Sequence, residues 1–263
     1  MTIVRLDSQG LQALPSAIDN PLEIVHFSAY NNLLTELPDW LWSLTQLQTL
    51  NVSANHLSEI SEQIGSLVHL RMIDIGHNNL AKLPLTIGTL PDLTDFLYLS
   101  DNQLAELPPN LENLTQLRYL NVSDNQLVSL PDGLGHMRGL VELRAYRNPI
   151  RKLPESIGQL SNLRELHLDA TQLTALPESV GNLRELRILS LRGCRLEALP
   201  TSIQALQHLR YLDLRANTLQ HIPEEIVLLP NLEKLDLRWN PQLQIESTRW
   251  LEVLENRGCL VYR

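Results

Sequence analysis

One stretch of the sequence combines residue types that could support acid–base chemistry. Glu165, His167 and Asp169 alternate along the chain, so a carboxylate stands two residues from the histidine on either side. A histidine beside a carboxylate is a common general base. However, the sequence contains no nucleophile elbow, phosphate-binding loop, CxxC pair or HExxH motif that would supply its partner. We therefore expect a protein that is not an enzyme and needs no cofactor.

The remaining candidate metal ligands do not cluster in the sequence. His26, His77 and His167 lie in well-separated segments, so we expect no metal site. The two cysteines, Cys194 and Cys259, are too few to form a disulfide framework.

Composition argues against two classes of partner. The formal net charge is −9, whereas nucleic-acid and anionic-membrane binders need a cationic surface. The first residues, MTIVRLDSQG, do not resemble a signal peptide, and no apolar stretch approaches the roughly 18–20 residues of a membrane span. We expect no nucleic-acid partner and no membrane association.

The elements that must position any functional residue come from an internal repeat. Leucine or isoleucine recurs every 23 residues, with one step of 24, and a second apolar residue follows three positions later. In nine of ten units that second residue precedes proline, and Ser61 is the exception. The full unit reads LxxLxLxxNxLxxLPxxIgxLxx. The first residues of the ten pairs are Leu11, Leu34, Leu57, Leu80, Leu104, Leu127, Ile150, Leu173, Leu196 and Leu219.

Each unit predicts one strand and one short return segment. The LxL pattern alternates with period two, so its leucines face one side and the residues between them face the other. A single such strand cannot bury its apolar side, but stacked units form a parallel sheet over a continuous core. Proline suits the start of a short helix or 3₁₀ turn in the return segment. We predict an α/β solenoid, curved like a horseshoe, with strands on the concave face.

This unit resembles the leucine-rich repeat of the intracellular Ras-group type, which is also common in bacterial proteins, over roughly residues 1–245. The resemblance implies a non-enzymatic module that binds a protein partner, as a scaffold or in signalling. The two cysteines and the lack of a recognisable signal peptide lead us to expect a cytoplasmic location. One alternative is the target-recognition part of a larger effector or signalling protein, delivered into a host cell if it is an effector, whose catalytic domain lies outside this chain. A second alternative is a self-assembling structural protein.

The N position of the unit has a structural explanation. A buried side-chain amide there can bond the backbone of neighbouring coils, and an unsatisfied group would cost about 1–3 kcal/mol. We therefore predict a structural ladder, with Cys194 in an equivalent position. Its asparagines are Asn32, Asn55, Asn78, Asn102, Asn125, Asn148, Asn217 and Asn240.

The two ends of the array differ. We assign residues 1–245 to a solenoid of ten to eleven coils and residues 246–263 to a C-terminal cap. In the cap, Ser247 or Thr248 is a plausible helix N-cap, Gly258 a plausible stop, and CLVY a possible last strand. The N-terminal end has no comparable cap. We expect a monomer, and the alternative is a dimer that forms through this uncapped N-terminal edge.

The single 24-residue unit leaves two registers open. In LPDLTDFLYLSDNQL, counting back from Asn102 places Leu97 and Leu99 inward, whereas counting forward from Leu93 places Phe96 inward. We favour the first register because it keeps LYLSDN intact. A bulge between residues 95 and 97 would absorb the extra residue.

The variable positions of LxxLxLxxN should face the concave side. They carry several aromatic residues, acidic residues in the N-terminal half, and a run of arginines in the C-terminal half. Aromatic residues and arginine are enriched at protein interfaces, although strands also favour tyrosine for packing reasons. The predicted partner-binding residues are Phe96, Tyr98, Tyr119, Glu142, Arg144, Tyr146, Arg147, Glu165, His167, Arg192, Tyr211, Arg215, Arg238 and Trp239.

Overall fold

One parallel sheet runs through the molecule. The computed structural model describes residues 2–244 and 249–263, and there each strand pairs with its neighbours in chain order. The predicted solenoid with a curved parallel sheet is confirmed. The strands are β1 (Thr2–Arg5), β2 (Ile24–Ser28), β3 (Thr49–Asn51), β4 (Met72–Asp74), β5 (Phe96–Tyr98), β6 (Tyr119–Asn121), β7 (Glu142–Arg144), β8 (Glu165–His167), β9 (Ile188–Ser190), β10 (Tyr211–Asp213), β11 (Lys234–Asp236) and β12 (Leu260–Tyr262).

The return segments are 3₁₀ helices. Most begin directly after a proline, and where Ser61 replaces it, the Ser61 hydroxyl accepts a 3.2 Å bond from the Gln63 N–H. Spans of three to five residues favour the tight 3₁₀ turn over an α-helix. These helices are Pro21–Glu23, Asp39–Ser43, Glu62–Ser66, Leu85–Thr89, Pro109–Asn113, Asp132–His136, Glu155–Gln159, Glu178–Asn182, Thr201–Ala205 and Glu224–Leu228.

The register of the 24-residue unit follows the favoured alternative. Leu97 and Leu99 are fully buried, while Phe96 is 41% exposed. β5 pairs with β4 and β6 without a shift. The extra residue lies just before β5. The Asp95 N–H donates to the Arg71 carbonyl of the preceding coil, whereas the Arg118 N–H of the following coil donates to the Thr94 carbonyl. The predicted bulge at residues 95–97 is thus corrected to the loop at Thr94–Asp95.

The core is aliphatic, and buried asparagines connect its coils. Each of the eight asparagines accepts a bond from a backbone N–H of the preceding coil and donates to carbonyls of that coil and its own. Thr171 and Cys194 interrupt this ladder with weaker bonds, in which the Cys194 sulfur lies 3.2 Å from the Leu168 carbonyl. Cys194 and Cys259 are both free and buried.

The C-terminal segment covers the last coil. Helix α1 (Arg249–Asn256) buries Trp250, Leu251 and Leu254, and Gly258 follows at a φ of +85°. β12 then extends the sheet beyond β11, as the CLVY pattern predicted. The proposed N-cap at Ser247 or Thr248 lies outside the described residues. None of the described helices has the length and apolar character needed to span a bilayer.

Candidate protein-binding face

Two rows of side chains line the concave face between the inward leucines. Strand pairing aligns the first outward row from Ile3 to Leu260 and the second from Arg5 to Tyr262, one residue per strand. The predicted binding residues fall into three sets. Those in the first row are Phe96, Tyr119, Glu142, Glu165 and Tyr211. Those in the second row are Tyr98, Arg144 and His167. Those on the turns after the strands are Tyr146, Arg147, Arg192, Arg215, Arg238 and Trp239.

Three aromatic rings meet at the centre of this face, and we call Phe96, Tyr98 and Tyr119 the aromatic cluster. Phe96 stacks on Tyr98 with a centroid separation of 5.6 Å, and Tyr119 lies 5.0 Å from Tyr98. The guanidinium of Arg144 lies 5.6 Å from the Tyr119 ring centroid. Burial raises the pKa of Tyr119 to about 12, so its hydroxyl is neutral at physiological pH.

Beside the aromatic cluster, four polar side chains form a chain of short contacts. Arg144 Nε lies 2.5 Å from Glu142 Oε1, and His167 Nε2 lies 3.1 Å from Glu165 Oε2 and 3.9 Å from Glu142 Oε1. The predicted histidine–glutamate contact is therefore present. The Ser190 hydroxyl, on the next strand, donates to Asp169 at 2.5 Å. Among the described residues, no hydroxyl or thiol group hydrogen-bonds to His167, as a histidine-activated nucleophile would.

Glu142, Glu165 and His167 form the one group among residues 2–244 and 249–263 whose side chains are of metal-binding type and lie close enough together to share an ion. Donor atoms of Glu142, Glu165 and His167 all lie within 4.8 Å of one another. Arg144 already binds Glu142 Oε1, the carboxylate oxygen that faces His167, and its positive charge opposes a second cation there. The arrangement fits an ion-pair network better than a metal site.

Most arginines of the run in the C-terminal half are paired with carboxylates. Arg215 and Arg238 each bind the aspartate two residues earlier, with shortest N–O distances of 2.5 and 2.7 Å. Arg147 pairs with Asp124 at 3.1 Å, across coils. These carboxylates neutralise Arg147, Arg215 and Arg238, whereas the guanidinium of Arg192 contacts the Trp239 ring and pairs with no carboxylate of the described residues. The acidic side chains of the N-terminal half are engaged as well, since Asp101 pairs with His77 at 2.8 Å.

The C-terminal end of the face presents an exposed tryptophan. Trp239 is 61% exposed and has a φ of +63°, a left-handed conformation that is costly for a bulky residue. Arg192 and Arg238 lie 5.9 and 5.5 Å from its ring centroid. Tyr262 lies 5.0 Å from Arg238. Tyr262 is not among the predicted binding residues, although the alternation in LVY indicates that it faces the same side as the concave rows.

Asp74, next to Tyr98 in the second row, is a carboxylate with an unfavourable environment. Burial raises the pKa of Asp74, and this outweighs its bonds from the Gly76 N–H and the Ser53 hydroxyl. In contrast, the pKa of Asp236 is lowered. Burial opposes its charge, but the hydrogen bonds and charge of Arg238 outweigh that penalty.

We predict that Asp74→Asn stabilises the protein at pH 7. A raised folded-state pKa means that the native state binds more protons than the unfolded state, so stability falls as pH rises above about 3.9. Asparagine cannot ionise and removes this loss of stability, so the stability gain of Asp74→Asn over the wild type should vanish as the pH falls below about 4. Chemical denaturation of both proteins at pH 4 and pH 7 measures the effect. Asp236→Asn is the control with the opposite sign at pH 7, and a destabilised Asp74→Asn at pH 7 would contradict the prediction.

The comparisons with known proteins agree with this architecture. A family profile described as a leucine-rich repeat region matches residues 100–186 and 176–259, more than half of the chain. No curated protein sequence matches. A leucine-rich repeat protein of Leptospira interrogans has 29% identity and a TM-score of 0.80, with 99% of this chain and 72% of that chain covered.

Two further structures show how widely the fold is used. The ectodomain of the Arabidopsis thaliana receptor kinase GASSHO1/SCHENGEN3, solved in complex with Casparian Strip Integrity Factor 2, has 30% identity and a TM-score of 0.75. The alignment covers 86% of this chain but 28% of the receptor chain. An internalin of Listeria monocytogenes shares the fold at 22% identity, with a TM-score of 0.79 and 95% and 70% of the two chains covered.

The repeat, the asparagine ladder and the profile match therefore lead to one assignment. The chain belongs to the leucine-rich repeat family, a family of protein-interaction modules.

Proposed function

We propose that the protein acts by binding a protein partner through its concave face. The observation that carries this proposal is the aromatic cluster, in which three rings stand side by side on a surface that the repeat does not prescribe. Aromatic side chains are enriched in the residues that dominate binding energy, and rigid strands hold these three without a further ordering cost.

Two other features support the same face. The Arg144–Glu142–His167–Glu165 network borders the aromatic cluster and offers directional polar contacts around an apolar centre. The exposed Trp239, in its left-handed conformation, provides a second aromatic contact at the C-terminal end. The same turn position is left-handed in Ala54, Arg147 and Ala216, so the repeat sets this conformation, and the exposed ring is the feature that supports binding.

A photo-crosslinking experiment identifies the partner and locates its contact. A benzophenone amino acid replaces Phe96 in one variant and Leu85, an exposed residue of the 3₁₀ helix Leu85–Thr89, in the other. We expect a protein of the source cell to be crosslinked from position 96 and not from position 85. Crosslinking from position 85 alone would contradict use of the concave face.

Calorimetry with the purified partner then tests the aromatic cluster quantitatively. Tyr98→Ala should raise the Kd about thirtyfold or more, because loss of a central aromatic contact commonly costs about 2 kcal/mol or more. Leu85→Ala is the control on the opposite side and should leave the Kd unchanged. If both variants bind as the wild type does, the aromatic cluster is not the binding site.

A further inference from the structure

A second charged surface lies beside the concave face, where each strand begins. The residue directly before the strand is arginine in β6, β8 and β9, and we call Arg118, Arg164 and Arg187 the arginine column. Backbone bonds of 2.8 Å run from the Val141 N–H to the Arg118 carbonyl and from the Arg187 N–H to the Arg164 carbonyl, so these positions stay in register between coils. All three side chains are exposed.

The arginines before β4 and β10 differ from the arginine column, and Asp95 before β5 stands between Arg71 and Arg118. Arg71 and Arg210 occupy the same position in their coils but are paired, with Asp95 at 3.2 Å and with Glu233 at 2.5 Å. Among the described residues, no carboxylate oxygen lies within 4.0 Å of a guanidinium nitrogen of Arg118, Arg164 or Arg187. The charge of the column is therefore available to another molecule, unlike that of Arg147, Arg215 and Arg238 on the concave face.

The surroundings of the arginine column suit an extended peptide better than a single small anion. Arg118 and Arg164 border a shallow depression over Val141, into which Gln116 and Asn162 also open, with Glu185 as its one carboxylate. The neighbouring turns add the exposed Arg138 and Arg184. From Arg118 to Arg187 the column crosses three strand intervals of about 4.8 Å, roughly the length of four or five extended residues.

We propose that the arginine column binds an extended acidic segment of a protein partner. A net charge of −9 makes most of the protein surface repel such a segment, so the column is the place where it is attracted and oriented. The proposal deepens the proposed function, because the segment would belong to the partner that the concave face contacts. It does not depend on the aromatic cluster, so the two can fail separately.

A defined peptide tests the proposal without the natural partner. Fluorescence anisotropy with labelled hexaglutamate should show binding at low ionic strength that weakens as salt is added. The triple variant Arg118→Gln, Arg164→Gln, Arg187→Gln should bind about three- to a hundredfold more weakly, since each exposed ion pair contributes a factor of roughly 1.5 to 5. The triple lysine variant should retain most of the affinity, because it keeps the charge.

The controls separate the column from general charge effects. Arg71→Gln removes one positive charge at the equivalent position before β4, where the arginine is already paired, and should alter the affinity less than any single Arg→Gln change in the column. Hexaglutamine should not bind, and thymidine hexanucleotide should bind more weakly than hexaglutamate. The proposal is overturned if hexaglutamate does not bind, if the triple glutamine variant binds it equally well while remaining folded by circular dichroism, or if the oligonucleotide binds as tightly.

Discussion

Replacing Asn148 with alanine should lower the free energy of unfolding by about 3 kcal/mol. Asn148 is 2% exposed and bonds two coils together. Its Oδ1 accepts from the Leu127 N–H at 3.0 Å, and its Nδ2 donates to the Val122 carbonyl at 3.0 Å and the Ala145 carbonyl at 3.2 Å. Alanine leaves the Leu127 N–H and the Ala145 carbonyl without a partner inside the protein, where each unsatisfied group costs about 1–3 kcal/mol, while the Val122 carbonyl keeps its bond from Asn125 Nδ2 at 3.1 Å.

Urea denaturation followed by circular dichroism measures this loss. Asn162→Ala is the matched control, because the exposed Asn162 donates to the Arg138 carbonyl at 2.8 Å and water can replace that bond. The control should change stability by less than about 0.5 kcal/mol. Equal effects of the two substitutions would show that the ladder adds nothing beyond an ordinary surface bond.

Gly181→Ala should destabilise the protein by about 2–3 kcal/mol. A Cβ atom at this position would lie 2.5 Å from the backbone oxygen of Ser202 and 2.7 Å from its Cβ, in the next coil. The obstacle is main chain in the stacked 3₁₀ helix, so it cannot move without disturbing the spacing between coils. Glycine is required here because of this close approach, and not because of its backbone angles.

Gly133→Ala separates crowding from the loss of glycine itself. A methyl group at Gly133 would meet the side chain of Glu112, a flexible group that can turn away. We expect a change of less than about 1 kcal/mol, since alanine also restricts the unfolded chain. Thermal unfolding of both variants provides the comparison. A Gly181→Ala protein as stable as Gly133→Ala would show that a methyl group at position 181 does not clash with the Ser202 backbone.

The backbone of this protein was predictable because its repeat is regular. The alternation in LxL, the proline before each return segment and the buried N position each have one low-energy arrangement when coils stack. The register at Phe96 could be chosen on the same grounds, because a shift by one residue would have turned Leu97 and Leu99 out of the core. Only the location of the extra residue, at Thr94–Asp95, differed from the prediction.

The composition of the concave face was also predictable, but the state of its charges was not. The sequence alone determined that tyrosines, arginines and carboxylates line this face, since strand position decides which side chains point outward. Only the tertiary structure decided that Arg215 and Arg238 are neutralised while Arg118, Arg164 and Arg187 are not. Pairing depends on distances of a few ångströms between side chains, often in different coils, and a periodic pattern specifies the coils without specifying those distances.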